Sequence, residues 1–184
     1  MNKAQKDCII KDIQNEFLKE QLWDAAWRAS TQRSRIYSAG VKERDKLIFR
    51  KDIKEKVFSI LKDHRKSLLE DELLKYITDI ASLYKNKNSI NFRVGQSQKI
   101  LNLMLKYYWC LGWLEYTPPH CPIDRVIIEA AKVKIKGKTP AWTKMLSIKE
   151  YKDIISFIKK DITFSCLSNW ELCVYQKLEI KKNK

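Results

Sequence analysis

The sequence predicts an all-α protein, a compact multi-helix domain of about seven or eight helices. Three observations predict it. Breakers are scarce, with four Gly and four Pro in 184 residues, so few positions punctuate the chain. Between them, apolar residues recur at three- and four-residue spacing, the period of an amphipathic helix. Hydrophobic residues make up 45% of the chain, with six Trp, eight Tyr and six Phe, enough to close the core of a single domain of this length.

A first helix is expected over Lys3 to Leu22, with Ile9, Ile10, Ile13 and Phe17 on its apolar face. Trp23, Ala26 and Trp27 continue that character into a second, short helix ending before Gly40. Lys42 to Leu68 reads as one long helix or two, with Leu47, Ile48, Val57, Ile60 and Leu61 inward. Its outward positions carry ten basic residues against five acidic ones. Glu70 to Tyr84 follows, with Leu73, Leu74, Ile77, Ile80 and Leu83 in register. After the polar loop from Lys85 to Asn91 comes a helix from about Gln96 to Leu111. There Ile100, Leu101, Leu103, Met104, Leu105, Tyr107, Tyr108 and Trp109 point nearly all round the axis, which marks it as the central, buried helix.

Thr117-Pro118-Pro119-His120-Cys121-Pro122 is a rigid extended turn, because proline fixes φ and disfavours helix in the residue before it. Ile123 to Lys132 then starts a helix, with Pro122 just ahead and Asp124 in the first turn, where the dipole favours a carboxylate. Gly137 and Pro140 break the chain again. Ser147 with Glu150 forms a capping-box pattern for a helix to Lys160, and Ser168 with Glu171 another for a last helix to Leu178. Residues 1–180 read as one helical domain and 181–184 as a frayed basic tail. No internal repeat or interior linker is evident.

Charge indicates the partner. The chain holds 37 Lys+Arg against 22 Asp+Glu, a net charge of +15, and a surface of that sign attracts polyanions. The excess is clustered. Ile80 to Leu114 contains no acid but carries Lys85, Lys87, Arg93, Lys99 and Lys106. Ala130 to Ile148 is also acid-free and carries Lys132, Lys134, Lys136, Lys138 and Lys144. Phosphate neutralisation by such groups gives salt-dependent nucleic-acid binding, and double-stranded DNA is the partner expected. The first 20 residues are interspersed with charge and no long apolar run occurs, so no membrane partner is expected and the location expected is cytoplasmic. Five cysteines, Cys8, Cys110, Cys121, Cys166 and Cys173, are widely spaced without a CxxC pair and read as reduced, mostly buried thiols.

The stretch from Phe92 to Ile128 concentrates the chemistry. A turn at Arg93-Val94-Gly95-Gln96-Ser97 leads into Gln98-Lys99-Ile100-Leu101-Asn102, and Pro122-Ile123-Asp124 follows after the central helix, then Arg125-Val126. This stretch resembles the helix-hairpin-helix DNA glycosylases, especially the lyase branch that removes 8-oxoguanine. Gly95 matches the hairpin glycine, Lys99 the Schiff-base lysine, and Pro122-Ile123-Asp124 the helix-initiating Pro-x-Asp. The pattern departs at Asn91-Phe92-Arg93, which stands where the family has Leu-Pro-Gly, and only one of the two hairpin glycines is present.

The resemblance implies a helix-hairpin-helix glycosylase-like fold, a function in DNA repair and catalysis on a flipped-out nucleotide. Lys99 would attack the sugar C1′ as a neutral amine and Asp124 would stabilise the charge that develops on the sugar. N–H groups near Gly95 and Gln96 would hold a phosphate. The nucleic-acid contacts expected on this reading are Lys85, Lys87, Arg93, Gly95, Gln96, Gln98, Lys106, Arg125, Lys132, Lys134, Lys136 and Lys138. Trp109, Trp113 and Trp142 are the candidates for stacking on the displaced base.

Each residue also has a plainer role. Lys99 alone reads as a solvated first-turn lysine, Asp124 as ordinary helix-start chemistry and Gly95 as turn relief. His120, Cys121 and Cys110 lack a recognised ligand spacing, and neither metal nor cofactor is expected. No P-loop, dinucleotide fingerprint or Gly-x-Ser-x-Gly elbow occurs, which argues against those hydrolase families. The alternatives are a non-enzymatic module that binds nucleic acid or a protein partner, of mobile-element or defence type, and a metal-independent ribonuclease using Lys, Arg and His120.

Overall fold

The computed structural model describes residues 3–84, 89–162 and 164–177. Among them are seven α-helices: α1 (Lys3–Thr31), α2 (Glu43–Asp63), α3 (Glu70–Ser82), α4 (Val94–Cys110), α5 (Arg125–Ala130), α6 (Ile148–Asp161) and α7 (Leu167–Tyr175). A 3-10 turn at Trp142–Lys144 lies between α5 and α6. The described residues hold no β-sheet, only isolated bridges pairing Tyr37 with Ile90 and Ile135 with Lys138. No helix is long and apolar enough to cross a membrane among the described residues.

Helix α4 is the axis of the fold, as its all-round apolar pattern predicts. Every residue from Val94 to Leu105 is buried, and α1, α2, α3, α6 and the 3-10 turn all pack against it. Polar side chains near its start are enclosed along with the apolar ones, so each needs an internal partner.

Helix α1 departs from expectation. It runs unbroken through Trp23 to Thr31, and its packed face is Trp23, Ala26, Trp27 and Ser30. Ile9, Ile10, Ile13 and Phe17, expected inward, are 45–63% exposed. In α2 the inward residues include Phe49 and Ile53, while Leu47 and Ile48 face out. Phe49 is the hub of an aromatic cluster. Its ring meets Trp27, Tyr37, Tyr84 and Phe92 edge-on at centroid distances of 4.8–6.0 Å, an arrangement that suits the ring quadrupoles. Leu83, expected inward at the end of α3, is exposed.

The chain after α1 is tied to the lead-in of α4. Ser38 N–H donates to Ser89 O at 3.0 Å and Asn91 N–H to Ile36 O at 2.6 Å. The Pro-rich turn is held by α7, where Ser168 Oγ donates to the carbonyls of Pro118 (2.9 Å) and His120 (3.1 Å). Ser168 therefore does not cap α7. That cap is Cys166, whose Sγ accepts from Asn169 N–H at 3.4 Å. The Ser147 capping box of α6 forms as its spacing predicts.

Candidate functional site

The site is built where α4, α5, α7 and the 3-10 turn meet. Asp124 is the N-cap of α5 rather than a first-turn residue, its Oδ1 accepting from Ile127 N–H at 3.2 Å. Its Oδ2 accepts from Lys99 Nζ at 3.2 Å and from the Tyr175 hydroxyl at 2.6 Å. Lys99 and Asp124 are 8% and 7% exposed. The Lys99 ammonium also lies over the Trp142 ring, 4.5 Å from its centroid, a cation–π contact that water exclusion strengthens.

Two charges enclosed together perturb each other. Burial pushes the Lys99 amine below the ordinary lysine range and outweighs the Asp124 carboxylate that pulls it up, with the Arg33 and Lys106 charges adding to the lowering. Burial acts upward on Asp124, but the Tyr175 hydroxyl, the Lys99 charge and the Ile127 N–H outweigh it and hold the carboxyl below its ordinary value. A second ion pair lies seven residues along α4, about 10 Å further on. Lys106 Nζ is 2.7 Å from the fully buried Glu171 and 4.6 Å from the centre of the Tyr175 ring. Burial pushes the Glu171 carboxyl up against the pull of Lys106.

Two glutamines expected to touch nucleic acid are instead interior fasteners. Gln98 is fully buried, accepts from Ile123 N–H at 3.0 Å and donates to Ile123 O at 2.7 Å. That double bond fixes the backbone just ahead of Asp124. Gln96 is 1% exposed and donates to Ser34 Oγ at 2.8 Å and to Thr143 O at 3.2 Å. It joins the segment after α1 to the 3-10 turn.

Gly95 has a packing role. Its N–H donates to Met145 O at 3.2 Å, which leaves that group unavailable to a phosphate. A Cβ there would lie 1.9 Å from the Trp142 carbonyl oxygen, so glycine is what lets the 3-10 turn sit against α4.

Lys106 is committed to Glu171 and does not present a free charge. Arg93 is half-buried and its Nε donates to Asn91 Oδ1 at 2.7 Å. Arg125, Lys132, Lys134, Lys136 and Lys138 are exposed, and Lys85 and Lys87 lie outside the described residues. Of the three tryptophans, only Trp142 is at the site. Trp109 is ten residues from Lys99, about 15 Å along α4, and Trp113 packs edge-on against Tyr108 at 4.9 Å. His120 is 1% exposed with Nδ1 3.0 Å from the Tyr151 hydroxyl, and burial outweighs Glu70 in lowering its pKa. Enclosed in this way, it is not placed to meet an RNA. No group of three or more His, Cys, Asp or Glu suited to a metal occurs among the described residues.

A cleft of about 650 Å³ is lined by Arg33, Arg125, Glu129, Trp142 and Thr143 among others, but not by Lys99 or Asp124. Arg33 carried no sequence signal as a site residue; it lies 66 residues before Lys99 and comes near it only through the fold. No protein-family model, curated protein or solved structure matches this chain, and the site's chemistry stands on its geometry: a buried amine, a carboxylate and an indole beside an arginine-lined opening.

Proposed function

We propose that the protein is a helical DNA-binding protein that acts on a nucleotide by base-excision glycosylase/lyase chemistry, with Lys99 as nucleophile and Asp124 as its electrostatic partner. The observation that carries this reading is the buried Lys99–Asp124 contact, 3.2 Å between residues 25 apart in sequence. Desolvation favours the neutral amine that such chemistry requires. In that form the Nζ lone pair attacks the sugar C1′, and the electrons of the C1′–N bond leave with the base. A proton then passes from Nζ to the ring oxygen as the sugar opens to an imine. Asp124, 3.2 Å from the attacking nitrogen, supplies the negative charge that stabilises the positive charge developing at that carbon. Lys99 is nearly enclosed, so substrate entry requires a neighbouring ring to move. Tyr175, 42% exposed, is the freer one, since Trp142 is 5% exposed.

Borohydride trapping on duplexes that carry modified bases tests the reading. The wild type is expected to give a covalent adduct and Lys99→Gln none. No adduct with the wild type, or an undiminished one with Lys99→Gln, overturns it.

One observation favours a second reading. Every polar contact of Asp124 is satisfied inside the protein by Ile127, Lys99 and Tyr175, which also describes a structural ion pair in a non-enzymatic nucleic-acid-binding module. Salt-dependent DNA binding without base release or strand cleavage is the outcome expected of that module.

A further inference from the structure

The cleft that Trp142 lines has two arginines on its walls, and each is placed by a buried glutamine of α4. Gln96 bonds Ser34, the neighbour of Arg33, and with the same nitrogen the carbonyl of Thr143, which also lines the opening. Gln98 bonds both backbone groups of Ile123, two residues before Arg125. The spacing of Arg33 and Arg125 is therefore referred to one rigid helix although they stand 92 positions apart in the chain. Neither guanidinium is consumed by the fold. Arg33 is exposed and its side chain has no hydrogen bond or ion pair among the described residues. Arg125 gives only its Nε to Glu129, at 2.6 Å, in a pair that is 73% and 55% exposed. An exposed i,i+4 pair of that kind contributes little, and the terminal nitrogens of Arg125 have no hydrogen bond among the described residues. The Arg33 charge also acts on Lys99, and Trp142, which lines the cleft with Arg33, has its ring centroid 4.5 Å from Lys99 Nζ.

We infer that Arg33 and Arg125 form a clamp for the phosphodiester backbone of a DNA strand, gripping it across the cleft so that the sugar between the gripped phosphates faces Lys99. Guanidinium groups suit this task because their planar fork meets phosphate oxygens two at a time. Thr139 and Thr143 line the same opening, and such side chains commonly contact phosphate oxygens. The clamp takes the part that the resemblance gave to the Gly95 N–H, which lies in the first turn of α4 and is occupied by Met145. This inference rests on the reading of the chain as a DNA-binding protein that presents a sugar to Lys99.

The test is DNA affinity of the full chain across a salt series, on duplex oligonucleotides with and without a modified base. Arg33→Gln and Arg125→Gln are each expected to weaken binding about three- to tenfold near 0.1 M salt, and to flatten the slope of log affinity against log salt by about one. Lys75→Gln removes one charge from an exposed position of α3 that does not line the cleft and is expected to change both quantities less. Arginine variants indistinguishable from Lys75→Gln overturn the clamp, as does a wild type that binds no DNA at low salt. Full trapping yield in the double arginine variant overturns the clamp while leaving the lysine chemistry standing. Loss of affinity in the arginine variants, with no wild-type adduct, supports the grip on the phosphodiester backbone and overturns the presentation of a sugar to Lys99.

Discussion

Gly95 and Asp124 show how single residues organise the site. Gly95 is required by close approach, since any Cβ would collide with the Trp142 carbonyl 1.9 Å away. That atom belongs to the backbone and cannot swing aside as a side chain can. Gly95→Ala is expected to destabilise the protein by about 2–3 kcal/mol, measured as a lower urea midpoint; a change under about 0.5 kcal/mol contradicts the packing role. Asp124 couples the site to pH. Its folded-state pKa lies below the ordinary value of 3.8, so in acid the unfolded chain binds the extra proton. Its contribution is fully present above the unfolded pKa and is lost as pH falls through the folded one. Denaturant titrations from about pH 6 to pH 2 are expected to show an acid-side loss that is smaller in Asp124→Asn. Equal losses in the two proteins contradict the assignment. Glu171 titrates with the opposite sign, because its pKa is raised, and since the Asp124 charge is one cause of that rise, Asp124→Asn reduces this opposing contribution as well.

At the scale of elements, the helices were more legible than their faces. The all-round apolar residues of α4 mark it as central, and Ser147 with Glu150 marks the start of α6; both patterns form locally and the structure contains both. The apolar stripe of α1 misled for a physical reason. Three-to-four spacing identifies a face but not whether another element covers it. Ile9 and Trp27 stand 18 residues, five whole turns, apart and so share a side of the helix, but Ile9, Ile13 and Phe17 lie roughly two to four turns back along α1 from the buried segment that begins at Trp23. Ile13→Gln is therefore expected to shift stability by less than about 0.5 kcal/mol, whereas Trp27→Ala costs about 3–5 kcal/mol. Equal losses, followed by the urea midpoint, would show Ile13 to be packed. The Ser168 pattern failed similarly, because its hydroxyl found two carbonyls of the Pro-rich turn instead of the first turn of α7.

For the whole molecule, the net charge of +15 and the acid-free segments predict a basic surface, and the exposed lysines from Lys132 to Lys138 supply part of it. Bulk charge does not say which cations are free, however. Lys106 looked like a surface contact and is paired with Glu171, while Arg33 looked ordinary and stands at the mouth of the cleft. By itself the sequence determined the helical class, the buried central helix and the candidacy of Lys99 and Asp124, because periodicity, breaker scarcity and residue chemistry are local properties. Only the tertiary structure decided that those two side chains meet, that Gln96 and Gln98 turn inward, and that Arg33 and Arg125 face one opening. Those outcomes bring together residues 25 to 92 positions apart. An enclosed polar group takes whichever partner the packing brings to it, and no local pattern at Gln96 names Ser34.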